Sequence, residues 1–152
     1  MRLSGEFEIM SSIERVSSIL DDPFFMERCV PFVTQWSVMG DGRVRAVFSI
    51  EASGEPLVAE VVITVKRRGE RVFSYTFEGS IKGARYEGEV VVRLEEAREG
   101  ATIVFWEAVL DIGALVGALD EVVDVEELIK MVAKEAIKSF ASCSSRGEVG
   151  AA

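Results

Sequence analysis

The sequence predicts an α+β fold, in which one antiparallel sheet of seven strands is covered by one long C-terminal helix. Three features lead to this prediction. Apolar and polar residues alternate in seven separate segments, which is the period of a strand with one buried face. Short turns that contain glycine join most of these segments, so consecutive strands are expected to run antiparallel. One helical pattern near the C-terminus is long enough to lie across a whole sheet.

The chain begins with one strand and two short helices. Residues 3–9 alternate between apolar and polar side chains, as in a strand. The serines at 11 and 12 are suited to cap a helix whose apolar residues recur at helical spacing from 13 to 20. Pro23 fits the first turn of a second short helix, and Pro31 is expected to end it.

Six further strands are predicted between residues 32 and 112. Their turns are expected at 40–42, 53–56, 66–70, after Gly79 and at 95–100, where glycine, proline and charged residues cluster. Because the turns are short, the strands are predicted to form a meander.

A helical pattern follows the glycines at 113 and 117 and continues to about Phe140. Asp124 and Glu127 have the spacing of a capping box and are expected to mark where the regular helix begins. The helix has an apolar stripe, which suits it to cover the sheet. The stripe contains Val122, Val125, Ile129, Val132, Ala136 and Phe140.

Length and charge narrow the class of protein. A chain of 152 residues is expected to form one domain, here residues 1–143, followed by residues 144–152 as a disordered tail. The chain has 17 lysines and arginines against 26 aspartates and glutamates, a formal net charge of −9. Negative charge repels phosphate backbones and anionic lipid surfaces. We therefore expect no nucleic-acid partner.

The absence of histidine excludes several kinds of site. Histidine-containing catalytic triads, HExxH zinc sites and haem–histidine ligation cannot be built from this chain. Acid–base chemistry is left to carboxylates, lysines and tyrosines. We predict no metal and no cofactor.

The two cysteines, Cys29 and Cys143, are far apart in sequence and lack CxxC spacing. We interpret them as two small, half-buried hydrophobic residues. A long-range disulfide, of the kind found in the cytosol of hyperthermophiles, is the alternative. The sequence does not decide their redox state.

No targeting segment is recognised in the sequence. Residues 1–10 carry charges where a signal peptide needs a continuous apolar stretch. The longest apolar run, 103–119, is interrupted by Glu107 and Asp111 and is shorter than the roughly 20 residues of a spanning helix. We expect a cytoplasmic protein without a transmembrane segment, and peripheral membrane contact stays open.

Three further features of the sequence are better explained by structure than by a functional site. Residues 66–68 are basic, but Gly69 and Glu70 beside them favour a solvated hairpin tip over a binding patch. Glu107 and Asp111 alternate on the outward face of a strand, where solvent contacts are favoured over a paired-carboxylate catalytic site. Gly79, Gly83 and Gly88 are interpreted as turns or as space beside a pocket.

Local motifs carry a family resemblance. They are the opening LSGEFE at 3–8, Asp22-Pro23, Cys29-Val30-Pro31 and Trp106-Glu107-Ala108. Through about residue 143, the chain resembles the carbon monoxide dehydrogenase G-subunit family of the START-like (SRPBCC, helix-grip) superfamily. It differs at Phe32, where the family usually has glycine, and at 80–85, where the family has a glycine- and alanine-rich stretch.

The resemblance implies a curved sheet whose concave face is crossed by the long helix, with a large apolar pocket between them. Tyr75, Tyr86 and Trp106 each carry a polar group that needs a partner when buried, supplied by a ligand, the backbone or water. For each predicted lining residue, the alternative is that its side chain packs in the hydrophobic core and contacts no ligand. The predicted lining consists of Phe48, Val61, Ile63, Phe73, Tyr75, Phe77, Tyr86, Trp106, Leu110, Val122, Val125 and Ile129.

The resemblance implies a protein that binds a hydrophobic small molecule, quinone-like or lipid-like. It further implies an accessory role for a molybdenum-type carbon monoxide dehydrogenase or related hydroxylase. The alternative is a START-like enzyme of the polyketide cyclase/dehydratase or lyase type. Only Tyr75 or Tyr86 would offer that enzyme an acid or base inside the pocket, and a buried tyrosine is a reluctant base.

Overall fold

The computed structural model describes the backbone of residues 1–151 and the side chains of residues 1–145. The chain forms seven strands and four helices within this part. In order, they are β1 (Arg2–Ile9), α1 (Ile13–Leu20), α2 (Pro23–Met26), β2 (Val33–Gly40), β3 (Arg43–Ala52), β4 (Glu55–Arg67), β5 (Val72–Ile81), β6 (Ala84–Arg98), β7 (Ala101–Asp111), α3 (Gly113–Leu119) and α4 (Val125–Ala151). The predicted strands and the two short helices are confirmed.

The strands form one antiparallel sheet in the order β1-β7-β6-β5-β4-β3-β2. Strands β2 to β7 pair with their neighbours in the chain, and β1 pairs with β7 at the far edge. The predicted meander is therefore confirmed. Its hairpin loops Asp41-Gly42, Ser53-Gly54 and Lys82-Gly83 have positive φ at both residues. Such two-residue turns match the twist of the strands that they join.

Side-chain caps fix the two short helices after β1. The Ser12 hydroxyl accepts a hydrogen bond from the Arg15 amide at 3.2 Å, which caps α1. The Asp22 carboxylate accepts from the Phe24 amide at 3.0 Å, and Pro23 occupies the first turn of α2. Both helices therefore begin where the sequence predicts.

The hydrophobic core of the described side chains consists of three clusters. The first lies between α1 and the strands β1, β5, β6 and β7, with Phe73 and Val16 fully buried. The second surrounds Leu57 and Leu119 and includes residues of α3 and the start of α4. The third is smaller and lies on β3 and β4 around Val44.

The predicted long C-terminal helix is present as α4, but a short helix that the sequence did not predict, α3, precedes it and contains Gly113 and Gly117. The amides of Val122 and Val123 both donate to the Leu119 carbonyl and end α3. The Asp124 carboxylate then accepts from the Glu127 amide at 3.2 Å, so the predicted capping pair does mark the start of α4.

The C-terminal end of α4 also lies beyond the expected position, at Ala151. The predicted tail, 144–152, therefore begins inside α4, where Ser144 is fully buried. The rest of that prediction lies outside the residues whose side chains are described. Among the described residues, we find no helix that is long and apolar enough to cross a membrane.

Cys29 and Cys143 form a disulfide, with a Cα–Cα distance of 5.3 Å. The preferred interpretation of two unpaired residues is wrong. The bond joins the segment between α2 and β2 to α4 across 114 positions of sequence. Phe140 and Ala141 of α4 pack on the first cluster, beside α1 and Met26 of α2, and this long-range packing brings the two cysteines together.

Candidate ligand-binding site

The strand residues of the predicted pocket share one face of the sheet, which we call the inner face. Residues that pair directly on neighbouring strands point to the same side. Ile63 pairs with Phe77, Phe77 with Gly88, and Gly88 with Leu110, which gives one continuous row. Parallel rows carry the remaining strand residues of the predicted set, including Phe48, Val61, Phe73, Tyr75, Tyr86 and Trp106.

Helix α4 is attached to the core near both ends of its described part. At its start, Val125 is buried in the second cluster, and Leu128 and Ile129 pack against it. Further along, Phe140 and Ala141 pack against the first cluster. From Ile129 to Phe140 the helix rises about 16 Å.

The middle of α4 packs less tightly. Four of its apolar side chains are half-buried and belong to none of the three clusters, namely Val132, Ala133, Ala136 and Ile137. On the sheet, Ile63 borders the first and third clusters and Tyr86 the second and third. We call the region between the middle of α4 and these inner-face residues the crevice, and we take it as the candidate ligand-binding site.

The predicted lining divides into two groups by burial. Val61, Phe73, Tyr75 and Val125 are buried core residues. The others keep some exposure to solvent: Phe48, Ile63, Phe77, Tyr86, Trp106, Leu110, Val122 and Ile129. Val122 lies in the segment between α3 and α4, where its carbonyl accepts a hydrogen bond from the Ser53 hydroxyl at 3.0 Å, so it is not on α4 as expected.

Glycines in the strands make room for the large side chains of the inner face. A Cβ at Gly88 would lie 2.7 Å from Leu110 Cδ2 and 2.8 Å from Phe77 Cζ. A Cβ at Gly79 would lie 2.8 Å from Tyr86 Oη. Gly79 and Gly88 are therefore strand residues that leave space beside the site, which was one of the two interpretations offered by the sequence.

The sequence reasoning missed several members of the same surface. Val65 and Val90 both pair with Tyr75, are half-buried, and border the first cluster. Gly5 pairs with Trp106 and lies under its indole ring. A Cβ added at Gly5 would lie 3.0 Å from Trp106 Nε1. The alternation of apolar residues that identified the other members would also have found the two valines.

The polar groups of the inner-face aromatic residues differ in their partners. Tyr75 Oη donates to the Leu20 carbonyl at 2.9 Å, and Trp36 Nε1 donates to the Pro23 carbonyl at 3.0 Å. Tyr86 Oη has a long contact of 3.5 Å with the Glu60 carbonyl. Trp106 Nε1 is buried and has no acceptor among the described residues. An unpaired buried donor costs about 1–3 kcal/mol, so among the inner-face aromatic residues Trp106 is the one that an added acceptor would stabilise most.

Burial changes the acidity of both tyrosines. Desolvation raises the pKa of Tyr75 well above its usual value, and the nearby Asp21 carboxylate raises it further. Desolvation also raises the pKa of Tyr86 to about 12. Both phenols therefore hold their protons at neutral pH and are poor general bases.

An alkaline titration tests these shifts, because the chain contains only these two tyrosines. A raised pKa in the folded state means that ionisation opposes folding. The stability that the protonated phenols contribute is fully present below pH 10, and it is lost as the pH rises through the folded-state pKa values of the two tyrosines. We expect little phenolate absorbance at pH 10 in the folded protein, and half-ionisation near pH 10 after denaturation. A normal titration of the folded protein would contradict the burial of both rings.

The outer face of the sheet carries two open grooves of about 640 and 480 Å³. Of the predicted lining, only Phe77 and Trp106 border them. The larger groove contains Glu78, Glu87 and Asp111, which pair side by side on adjacent strands. Glu107 forms an exposed ion pair with Arg2 at 3.0 Å, an ordinary solvent contact. Both grooves lie on the face of the sheet opposite to the predicted pocket.

Comparison with known proteins identifies a family and a fold. The family model described as "Polyketide cyclase / dehydrase and lipid transport" matches residues 1–144. The chain belongs to this family. No curated protein matches the chain. The fold is the START-like helix-grip fold, which the sequence predicts, and the family as a whole indicates binding of a hydrophobic ligand.

Solved structures similar to this member of the family share its fold at low identity. A conserved protein from Geobacillus kaustophilus is 16% identical with a TM-score of 0.81, over 96% of both chains. A Thermus thermophilus protein is 17% identical with a TM-score of 0.63, over 95% of this chain and 97% of that one. A START superfamily protein from Mycobacterium smegmatis is 13% identical with a TM-score of 0.59, over 93% and 92%.

Proposed function

We propose that the protein binds a quinone-like or lipid-like molecule in the crevice between the inner face and the middle of α4. One observation carries the proposal. Helix α4 is attached to the core near both ends of its described part. Between them, half-buried apolar residues of the helix lie outside the three clusters, and the half-buried residues of the sheet border those clusters. Apolar side chains that stay partly exposed gain free energy when a ligand covers them.

The proposed contact residues are the half-exposed members of the predicted lining. Ile63, Phe77, Leu110 and Tyr86 supply the sheet side, and Ile129 supplies the helix side. The buried residues Phe73, Tyr75, Val61 and Val125 support them from the core. Trp106 adds a hydrogen-bond donor without an acceptor among the described residues, which favours a ligand with a carbonyl, hydroxyl or carboxylate oxygen over a pure hydrocarbon.

A binding role fits the inner face better than catalysis does. An enzyme of the polyketide cyclase or lyase type needs an acid or base that exchanges protons in the site. The two tyrosines of the inner face have raised pKa values, and Tyr75 already donates to the Leu20 carbonyl. Catalytic turnover of a bound ligand would favour the enzyme instead.

The resemblance to the G-subunit family of carbon monoxide dehydrogenase adds a finer proposal. The protein would serve as an accessory factor of a molybdenum-type carbon monoxide dehydrogenase or a related hydroxylase, in the cytoplasm. Copurification of such an enzyme with the tagged protein from its own host supports this role. Recovery of the protein with bound lipid but without that enzyme would indicate a general lipid-binding protein instead.

Ligand titration tests the binding site directly. We expect decylubiquinone or palmitic acid to bind saturably with a stoichiometry of one, and to raise the melting temperature of the protein. Trp106→Ala should weaken binding by about 1–3 kcal/mol, whereas Trp106→Phe keeps the ring and should lose only the hydrogen bond. Isothermal titration calorimetry measures both.

The matched control is Phe105→Ala on the outer face. Phe105 neighbours Trp106 in β7 but points to the other side of the sheet, where it contacts Arg93. This variant should leave ligand affinity unchanged. If neither compound binds saturably, or if Trp106→Ala and Phe105→Ala weaken binding equally, the crevice is not the site.

A further inference from the structure

The disulfide lies where α4 crosses the first cluster. Cys143 follows Phe140 and Ala141, the residues that attach this part of α4 to the core. Cys29 lies in the segment between α2 and β2 and is 1% exposed. The bond therefore holds the C-terminal half of α4 against the α1–α2 end of the molecule.

Phe140, Ala141 and Ser144 also lie where this half of the helix meets the core. Phe140 and Ala141 are half-buried and Ser144 is fully buried, whereas the residues from Val132 to Ile137 lie outside the core clusters. The ion pairs Lys130–Glu127 and Lys138–Glu135 join residues within α4, so they stabilise the helix without tying it to the sheet. At the start of α4, Val125 is buried in the second cluster.

We propose that the Cys29–Cys143 disulfide is a redox-controlled latch on the ligand crevice, and that a dithiol reductant is its reaction partner. With the bond formed, α4 is held at both ends and covers the inner face. With the bond reduced, the C-terminal half of α4 separates from the first cluster, while Val125 keeps the start of the helix in place. The crevice then opens along one side.

The two cysteine residues differ in exposure, which sets the order of the reaction. Cys143 is half-buried and Cys29 is buried, so the reductant's thiolate attacks Cys143 Sγ. The S–S bond breaks, and Cys29 leaves as a thiolate that takes up a proton. The second thiol of the reductant then attacks the mixed disulfide and releases Cys143 as a thiol. Two electrons pass from the dithiol to the protein, and the reductant becomes a disulfide.

Hydrogen exchange of the ligand-free protein tests the latch itself. Under non-denaturing conditions with dithiothreitol, peptides covering residues 130–145 should exchange faster, while those of β4, β5 and β6 stay unchanged. Brief treatment with N-ethylmaleimide should alkylate Cys143 before Cys29. Resistance of the folded protein to reduction, no change in α4, or equal acceleration throughout the sheet would each overturn the proposal.

The effect on the crevice rests on the proposed function and has a separate measurement. Dissociation of decylubiquinone should accelerate by about tenfold on reduction, within the usual range of coupling between two sites. The double variant Cys29→Ser, Cys143→Ser should behave like the reduced protein and should not respond to dithiothreitol. An unchanged dissociation rate despite a mobile α4 would overturn control of the crevice.

The two proposals fail in distinguishable ways. If no probe binds to the oxidised or the reduced protein, the proposed function fails. Hydrogen exchange in α4 then tests the redox latch independently of ligand binding. Circular dichroism of the double variant confirms that it is folded, and the reduced wild-type protein gives the same comparison without substitution.

Discussion

Replacing Phe73 by alanine is expected to destabilise the protein by about 3–5 kcal/mol, the usual cost of deleting a fully buried phenylalanine. Phe73 is 0% exposed and belongs to the first cluster, which α1, β1, β5, β6 and β7 share. The loss combines the transfer free energy of the ring with the cavity that it leaves. Chemical denaturation of the oxidised protein measures the change in the free energy of unfolding.

Phe105→Ala is the matched control for this prediction. Each ring has an arginine over it, Arg67 at 5.3 Å for Phe73 and Arg93 at 4.4 Å for Phe105. Each ring therefore has its own cation–π contact with an arginine. The two rings differ in burial and in the face of the sheet that they occupy. We expect the outer-face variant to lose about 1 kcal/mol. Equal losses for the two variants would show that the inner face is not the main core.

The contrast between these two phenylalanines explains why the sheet could be predicted. In a strand, alternate residues point to opposite faces, so a single apolar run defines its buried side. Short hairpin turns then fix which strands pair and in which register. Both signals are local in sequence, and together they placed Phe73 and Trp106 correctly on the inner face.

The C-terminal region was harder to predict, because its structure depends on contacts between distant residues. The stripe that contains Val122 and Val125 continues across the break between α3 and α4. Whether the backbone stays helical there depends on the Leu119 carbonyl and the Asp124 cap. The pairing of Cys29 with Cys143 depends on where α4 crosses the molecule, which spacing alone does not reveal.

The sequence predicted which aromatic side chains share the inner face, but not the partners of their polar groups. Alternation identified the aromatic residues, whereas their hydrogen-bond partners come from other elements. Tyr75 meets the last carbonyl of α1, and Trp36 meets the first residue of α2. Trp106 instead lies over Gly5 and has no acceptor among the described residues. Which polar group stays available to a ligand therefore depends on the tertiary positions of short helices.

Replacing Val125 by aspartate should cost about 3 kcal/mol or more, because it places a charge in the second cluster. Val125 is 4% exposed and packs with Leu115 and Leu119 of α3. A carboxylate in the first turn of a helix is favoured by the helix dipole, but by only about 0.3–1 kcal/mol, so burial dominates. The melting temperature of the oxidised protein should fall by roughly 6–12 °C, at about 2–4 °C per kcal/mol for a chain of this size.

The same substitution at Val116 is a control that adds the charge without burying it, because Val116 lies on α3 and is 38% exposed. Val116→Asp should change the free energy of unfolding by about 0.5 kcal/mol or less. In Val125→Asp the disulfide still holds the other end of α4, so hydrogen exchange should accelerate near residue 125 before residue 143. An unchanged melting temperature in Val125→Asp would show that the start of α4 is not anchored in the core, and a crevice bounded by a helix fixed at both ends would then be excluded.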